Sequence, residues 1–302
     1  MGLLFSDEIR KQIANEVQQT VTHLHIVSAY CKVDAIRFIE ETIKLKTLCK
    51  KLMVRFSFND IVSGASDLAV YEYCKEHGWA MYVRFDLHAK TYIFDKVRGI
   101  IGSANLTSKG IGLANNSNYE IAELTTISSE EMQKVETLFE NSIRMNDSIY
   151  ERMCKCISER IIDDAQPSGN WNQDILRLFN PKVDVLFTYE FPNCSSLGNL
   201  KEDSLEFLGL TSGWDINIIK SAFMMSNVYI WLKNKLKAMP NKEIYFGELS
   251  AALHEIIIND PKPYRKEVKD LLGNLLSWIT ELNIDDILID RPRYSQRIRY
   301  VE

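Results

Sequence analysis

The sequence predicts an α/β protein: a mixed β-sheet flanked by helices over residues 1–150, then a mainly helical, winged-helix-like unit over residues 151–302. Three observations carry that prediction. Apolar strand-like runs alternate with helix-like stretches as far as Gly78, the order that builds a sheet covered by helices. Three strand-like runs then crowd between residues 80 and 103, as hairpin-joined strands do. Past a soft stretch, DDAQPSGNWNQ (163–173), long helical patterns take over and the chain ends in a hairpin pattern.

The elements follow in order. Residues 6–22 read as a helix, with Ser6 as N-cap and Asp7 and Glu8 where the helix dipole favours acids. HLHIVSAYC (23–31) is apolar and reads as a buried strand. KVDAIRFIEETIKLK places Ile36, Phe38, Ile39 and Ile43 on one helical face. KLMVRFSF (51–58) is a second strand, and ASDLAVYEYCKEHG is a helix that Gly78 stops. AMYVRF (80–85), AKTYIFD (89–95), VRGIIGS (97–103) and YEIAELTT (119–126) are strands. SSEEMQKVETLFENSIRM (128–145) is a helix capped by Ser128 or Ser129. In the second half, residues 215–239 read as one long helix capped by Asp215, residues 247–257 as a short one, and residues 264–282 as a long amphipathic one. Residues 285–301 make two strands around a turn; helices followed by a terminal hairpin are the order of a winged helix.

Composition narrows the function classes. With 302 residues and 46% hydrophobic content, a buried core is assured. The net charge is −5, with 17 Lys and Arg against 19 Asp and Glu in residues 1–150 and 19 against 22 beyond, so neither half is a basic arm. At the start, Leu3, Leu4 and Phe5 are too short an apolar run for a signal peptide. No window of about 18 apolar residues exists, so no membrane span is expected. The six cysteines are scattered, and Cys154-Lys155-Cys156 lacks the CxxC spacing of zinc or redox sites. Reduced thiols and a cytoplasmic location are the expectation.

One stretch carries chemistry: LHAKTYIFDKVRGIIGSANLTSKG (87–110). On a strand, His88 and Lys90 share a face. The hairpin brings Ser103 and Asn105 back beside them. An imidazole, an ammonium, a hydroxyl and an amide would then converge on one pocket, able to attack phosphorus or give a proton and to hold an anion. His23, His25, His77 and His254 have no lysine two residues on and read as structural. Trp79, Trp214, Trp231 and Trp278 read as core, and Trp171 stays open.

The spacing His-x-Lys-x4-Asp-x6-Gly-Ser-x-Asn, residues 88–105, resembles the HKD signature of the phospholipase D superfamily. NYE (118–120) resembles the family's later Asn-x-Glu element, and HIVSAYC the strand that opens its core. The resemblance spans about the first half of the chain and implies a phospholipase D-like fold. It further implies that His88 is the nucleophile that forms a phosphohistidine, or its twin, the general acid. Lys90 and Asn105 would bind non-bridging phosphate oxygens, and Ser103 would line the pocket. Glu120 would hold the far imidazole nitrogen, with Glu123 as the fallback. Asp95 and Gly102 would be structural. No cofactor and no metal is implied. The family's site uses two motifs, and this chain has one, which resembles the bacterial nucleases and phospholipase-D-type restriction enzymes that pair two subunits. A homodimer through the first half follows.

The terminal hairpin carries Arg291, Arg293, Arg297 and Arg299, with Arg297 and Arg299 on one face. Arg293, Arg297 and Arg299 either lie along a nucleic-acid backbone or form an edge paired with Asp285, Asp286 and Asp290. The expected function is a metal-independent nuclease cutting DNA or RNA, with no membrane partner and nucleic acid or a protein as partner of the second half. The alternatives are a phospholipid phosphodiesterase and a non-catalytic nucleic-acid-binding or regulatory protein.

Overall fold

The computed structural model describes residues 2–45, 47–163, 169–200, 203–210, 215–292 and 294–301. It divides into two compact units, Met1–Phe179 and Asn180–Glu302. The division falls after Phe179 rather than at 150 because Met153, Cys156, Trp171, Ile175, Leu176 and Phe179 are buried in the first unit. Trp171 is 2% exposed, donates its indole N–H to Phe56 O at 2.7 Å, and meets the Phe58 ring edge-on. Phe179 packs on Phe85. Trp171, left open by the sequence, is therefore a core residue.

The first unit contains β1 (Leu3–Phe5), α1 (Asp7–Gln19), β2 (His23–Ser28), α2 (Val33–Thr42), β3 (Cys49–Val54), α3 (Phe58–Val62), α4 (Val70–Glu76) and β4 (Trp79–Val83). It continues with β5 (Lys90–Phe94), β6 (Arg98–Gly102), β7 (Ile121–Thr126), α5 (Ser129–Glu140), β8 (Ile143–Arg144), α6 (Asp147–Asp163) and α7 (Gln173–Leu176). One mixed sheet runs β1-β7-β6-β5-β2-β3-β4-β8. The pairs β2–β3 and β3–β4 are parallel; the other neighbours are antiparallel. Parallel neighbours need crossovers, which α2 and then α3 with α4 supply. The α/β class expected from the alternation is the class observed.

The details correct several boundaries. β3 ends at Val54, short of the expected 58, because Phe56 takes a left-handed φ of 45° and Ser57 caps α3. The helix expected over 128–145 stops at Glu140, and Ile143–Arg144 leaves to pair with β4. Ser128 is its N-cap, in a capping box with Glu131. Ser6 makes no side-chain cap bond; Glu8 accepts the Phe5 N–H instead. β1 and α6 have no counterpart in the sequence reading.

The second unit contains α8 (Ile216–Met224), α9 (Asn227–Ala238), β9 (Glu243–Tyr245), α10 (Phe246–Ile256), α11 (Arg265–Glu281), β10 (Ile287–Asp290) and β11 (Arg297–Tyr300). The single helix expected over 215–239 is two. Ser226 interrupts it and caps α9 by accepting from Tyr229 N, while Asp215 caps α8 as expected. The three strands form an antiparallel sheet, β10-β11-β9. From α9 onward the order is helix, strand, two helices, two strands, with the first strand beside the last, as in a winged helix; α8 precedes it. Trp278, Phe223 and Tyr229 fill its core with Leu232 and Leu275. Trp231 is buried there and Trp79 in the first unit, as expected; Trp214 lies outside the described residues. Among the described residues no helix is long and apolar enough to cross a membrane.

Candidate active site

The site lies at one end of the central strands of the large sheet. Lys90 opens β5 and sits opposite Ser28, the last residue of β2. The carboxyl ends of parallel strands β2 and β3 therefore reach the end of the sheet where β5 begins, a place where open α/β sheets accept ligands. β6 runs back antiparallel to β5 and delivers Ser103 and Asn105 to the same end. An open cleft of about 600 Å³ results, lined by His88, Lys90, Ser103 and Asn105 with Thr91, Ile101 and Gly102. Four side chains expected to converge do so.

Their contacts define what each can do. Lys90 Nζ donates to His88 O at 2.6 Å and stands 3.2 and 3.4 Å from the two ring nitrogens. Its pKa is lowered from the usual lysine value by desolvation first and by the nearby Arg55 charge second, against the pull of Glu120. His88 is exposed at the cleft mouth. Asn105 Oδ1 accepts the Tyr30 N–H at 3.1 Å, so its amide N–H groups remain to hold an anion. Ser28 Oγ accepts the Leu106 N–H at 2.8 Å and fixes the chain just past Asn105.

Glu120 is placed differently from expectation. It is 7% exposed, and its carboxylate accepts from Ser103 Oγ and, at 3.1 Å, from Asn118 Nδ2. It has no bond to His88 within this chain. Its place is to orient Ser103, whose Oγ also accepts the Ile121 N–H at 3.1 Å. The fallback, Glu123, is exposed on β7.

Asp95 and Gly102 are the scaffold. Asp95 accepts backbone N–H groups from Val21, Thr22 and His23 and the Thr22 hydroxyl, at 2.7–3.2 Å, tying the end of β5 to the start of β2. Burial acts to raise its pKa, but these hydrogen bonds outweigh it and the value is lowered from 3.8. A depressed carboxylate stabilises the fold above its unfolded pKa and loses that contribution as pH falls through the folded value. Asp95→Asn is thus expected to cost about 1–3 kcal/mol at pH 7 and to narrow that gap below about pH 4, read by urea unfolding at both pH values. A constant gap across the range would remove the charged form from the explanation.

Other histidines stay outside the site. His25 is fully buried, and desolvation pushes its pKa down to about 4 despite Glu136 nearby. His77 and His254 face the carbonyls of Tyr73 and Pro263. The hairpin arginines are engaged by acids. Arg297 forks onto Asp290 at 3.0 and 2.8 Å and reaches Glu243; Arg299 also bonds Asp290 at 3.0 Å. For Arg297 and Arg299 that is the paired-edge arrangement, with Asp290 as the shared acid. Arg293 lies outside the described residues. Sequence reasoning missed Tyr30 and Arg55, which follow the carboxyl ends of β2 and β3. Their signal is position: residues just past the ends of parallel strands face ligand sites.

A family model described as cardiolipin synthase, phospholipase D-like domain, matches residues 13–143. Among solved structures, NucT from Helicobacter pylori is 14% identical, with 48% of this chain and 98% of that chain covered and a TM-score of 0.37. Nuc from Salmonella typhimurium, a phospholipase D family member, is 14% identical, with 48% and 97% covered and a TM-score of 0.37. Phosphatidylserine synthase from Haemophilus influenzae is 14% identical, with 56% and 44% covered and a TM-score of 0.41. No curated protein matches the sequence.

Proposed function

We propose, from the match of residues 13–143 to a phospholipase D-like family model, that this chain is a nuclease that cuts through a covalent phosphohistidine. The observation that supports it most is the convergence of His88, Lys90, Ser103 and Asn105 on one cleft. An unprotonated His88 nitrogen attacks the phosphorus, forming an N–P bond as the P–O bond to the leaving oxygen breaks. A second histidine protonates that oxygen. Water then attacks the phosphohistidine, its proton passing to the second histidine, and the N–P bond breaks. Lys90 and the Asn105 amide hold the non-bridging oxygens as charge builds on them.

One His-x-Lys pair per chain leaves the second histidine to another copy, so the working unit is a homodimer whose two His88 side chains face one phosphate. Light scattering should give a mass near twice 34.9 kDa. A fully active monomer would refute this assembly. The winged-helix order of the second unit favours nucleic acid as substrate. The family model's own description gives a second reading, a phospholipid phosphodiesterase.

Incubation with plasmid, single-stranded DNA, RNA and phospholipid vesicles, all in EDTA, separates the readings. The resemblance implies chemistry without a metal, so cleavage should persist under chelation. Loss of activity in EDTA with recovery in magnesium would rule that mechanism out.

A further inference from the structure

Arg55 stands one residue past β3, at the same end of the sheet as the cleft residues His88 and Lys90. Its backbone N–H donates to Ala29 O at 3.2 Å, and the Ala29 N–H donates to Ala89 O at 3.1 Å, so it is level with the residue between His88 and Lys90, two strands away. Its guanidinium is fixed in place. Nε donates to Asp60 Oδ2 at 2.7 Å, and Nη2 donates to Asp60 Oδ1 at 2.6 Å and to Tyr30 Oη at 2.9 Å. The group also lies 4.9 Å from the Tyr30 ring centre. Nη1 has no protein partner among the described residues, and the side chain is 22% exposed.

The chain around Arg55 is bent to hold it so. Phe56 adopts a left-handed φ of 45°, unusual for a bulky side chain. That turn lets the Ser57–Asp60 capping box fold back under the guanidinium. The Phe56 carbonyl is held by the buried Trp171 indole at 2.7 Å. Strain of this kind persists where surrounding structure over-determines it, and such places cluster at ligand sites.

Arg55 is joined to the cleft without lining it. Tyr30, whose hydroxyl it touches, gives its N–H to Asn105 Oδ1. The charge is close enough to lower the Lys90 pKa, yet the cleft's lining stops at Lys90 and Asn105. Two cations at one end of the sheet, two strands apart and only one of them in the cleft, suit two neighbouring anions. An arginine with a rigid planar fork and spare N–H groups suits a phosphate.

We propose that Arg55 receives a second phosphate of the substrate, the one next to the scissile phosphate, and so selects a polyphosphodiester strand over an isolated diester. The inference rests on the nuclease reading above and names the feature by which that site recognises its substrate.

Two measurements test it. Single-stranded oligothymidylate is bound to the His88→Ala protein, which does not cut, across a range of salt. Adding Arg55→Ala should weaken binding about tenfold and flatten the log–log salt slope by about 0.7, one phosphate contact on a single strand. In the protein with His88 intact, Arg55→Ala should lower kcat/KM on the oligonucleotide about tenfold more than on bis(p-nitrophenyl) phosphate, which carries one phosphate. Because Arg55→Ala leaves a buried Asp60 carboxylate without its cation, the pair Arg55→Gln with Asp60→Asn is read alongside, and melting temperature identifies which variants fold. Equal losses on both substrates, or an unchanged salt slope in a variant that melts like the parent, would overturn the proposal. If the parent cuts neither substrate and also leaves plasmid and RNA intact, the nuclease reading fails, and the binding measurement still decides the role of Arg55.

Discussion

His88→Ala is expected to lower the cleavage rate by about 10⁴-fold or more, with the melting temperature unchanged. The rate loss follows from the proposed mechanism, in which His88 is the attacking or proton-donating imidazole: losing a nucleophile removes the covalent route, and a single positioned acid or base alone contributes about 10²–10⁴-fold. The unchanged fold follows from position. His88 is exposed at the cleft, and the hydrogen-bond partner of its ring nitrogens is the Lys90 ammonium. In a homodimer the loss is compounded, because both histidines of the shared site disappear together. Mixing His88→Ala with Lys90→Ala subunits should not restore full activity, since every composite site carries a defect. The measurement is initial rate on the best substrate in EDTA, beside a thermal melt. A variant that keeps a tenth of parent activity would remove His88 from the mechanism.

Gly102→Ala is expected to damage stability and activity together. A Cβ there would lie 2.4 Å from Ile121 O and 2.5 and 2.6 Å from Ala122 Cβ and Cα. These are backbone and near-backbone atoms of the paired strand and cannot swing away as a long side chain can. β6 and β7 must separate where Ser103 bonds Ile121 and Glu120. Overpacking of this kind costs about 1–3 kcal/mol, occasionally more. It also displaces Ser103 and Asn105, so kcat should fall beyond what the unfolded fraction explains. Gly247→Ala is the control, since nothing lies within 4 Å of a Cβ at that position in α10. It should be neutral or slightly stabilising. If Gly102→Ala unfolds within about 0.5 kcal/mol of the parent, the range of an ordinary surface change, the close strand approach is not what that glycine provides.

Much of the site was legible because it is local. His88 stands two residues before Lys90, which opens β5, so both meet at one end of that strand, and the hairpin of β5 and β6 returns Ser103 and Asn105 to them within eighteen residues. The helix starts at Ser128 and Asp215 were legible too, because a cap is satisfied by residues two or three positions on. The break at Ser226 was not, since the apolar pattern runs straight through it and a capping serine reads equally as a polar residue inside a helix.

The rest was decided by contacts between distant residues. β1 and β8 have three and two residues, too few for a period to register, and exist because β7 and β4 offer unpaired edges to them. The unit boundary moves to Phe179 because Trp171 is buried against Phe56, 115 residues earlier. Glu120 meets Ser103 rather than the imidazole because Ser103 and Ile121 are paired across β6 and β7. Arg297 and Arg299, which read alike as phosphate ligands or ion pairs, are drawn to Asp290 by the β10–β11 register. By itself, then, the sequence determined the alternation of elements and the hairpin of the candidate site, because the period of a strand and the reach of a turn are short-range physics. Only the tertiary structure decided which charge meets which: a hydrogen bond needs its partners within about 3 Å, and for pairs far apart in the chain that distance is set by the packed sheet.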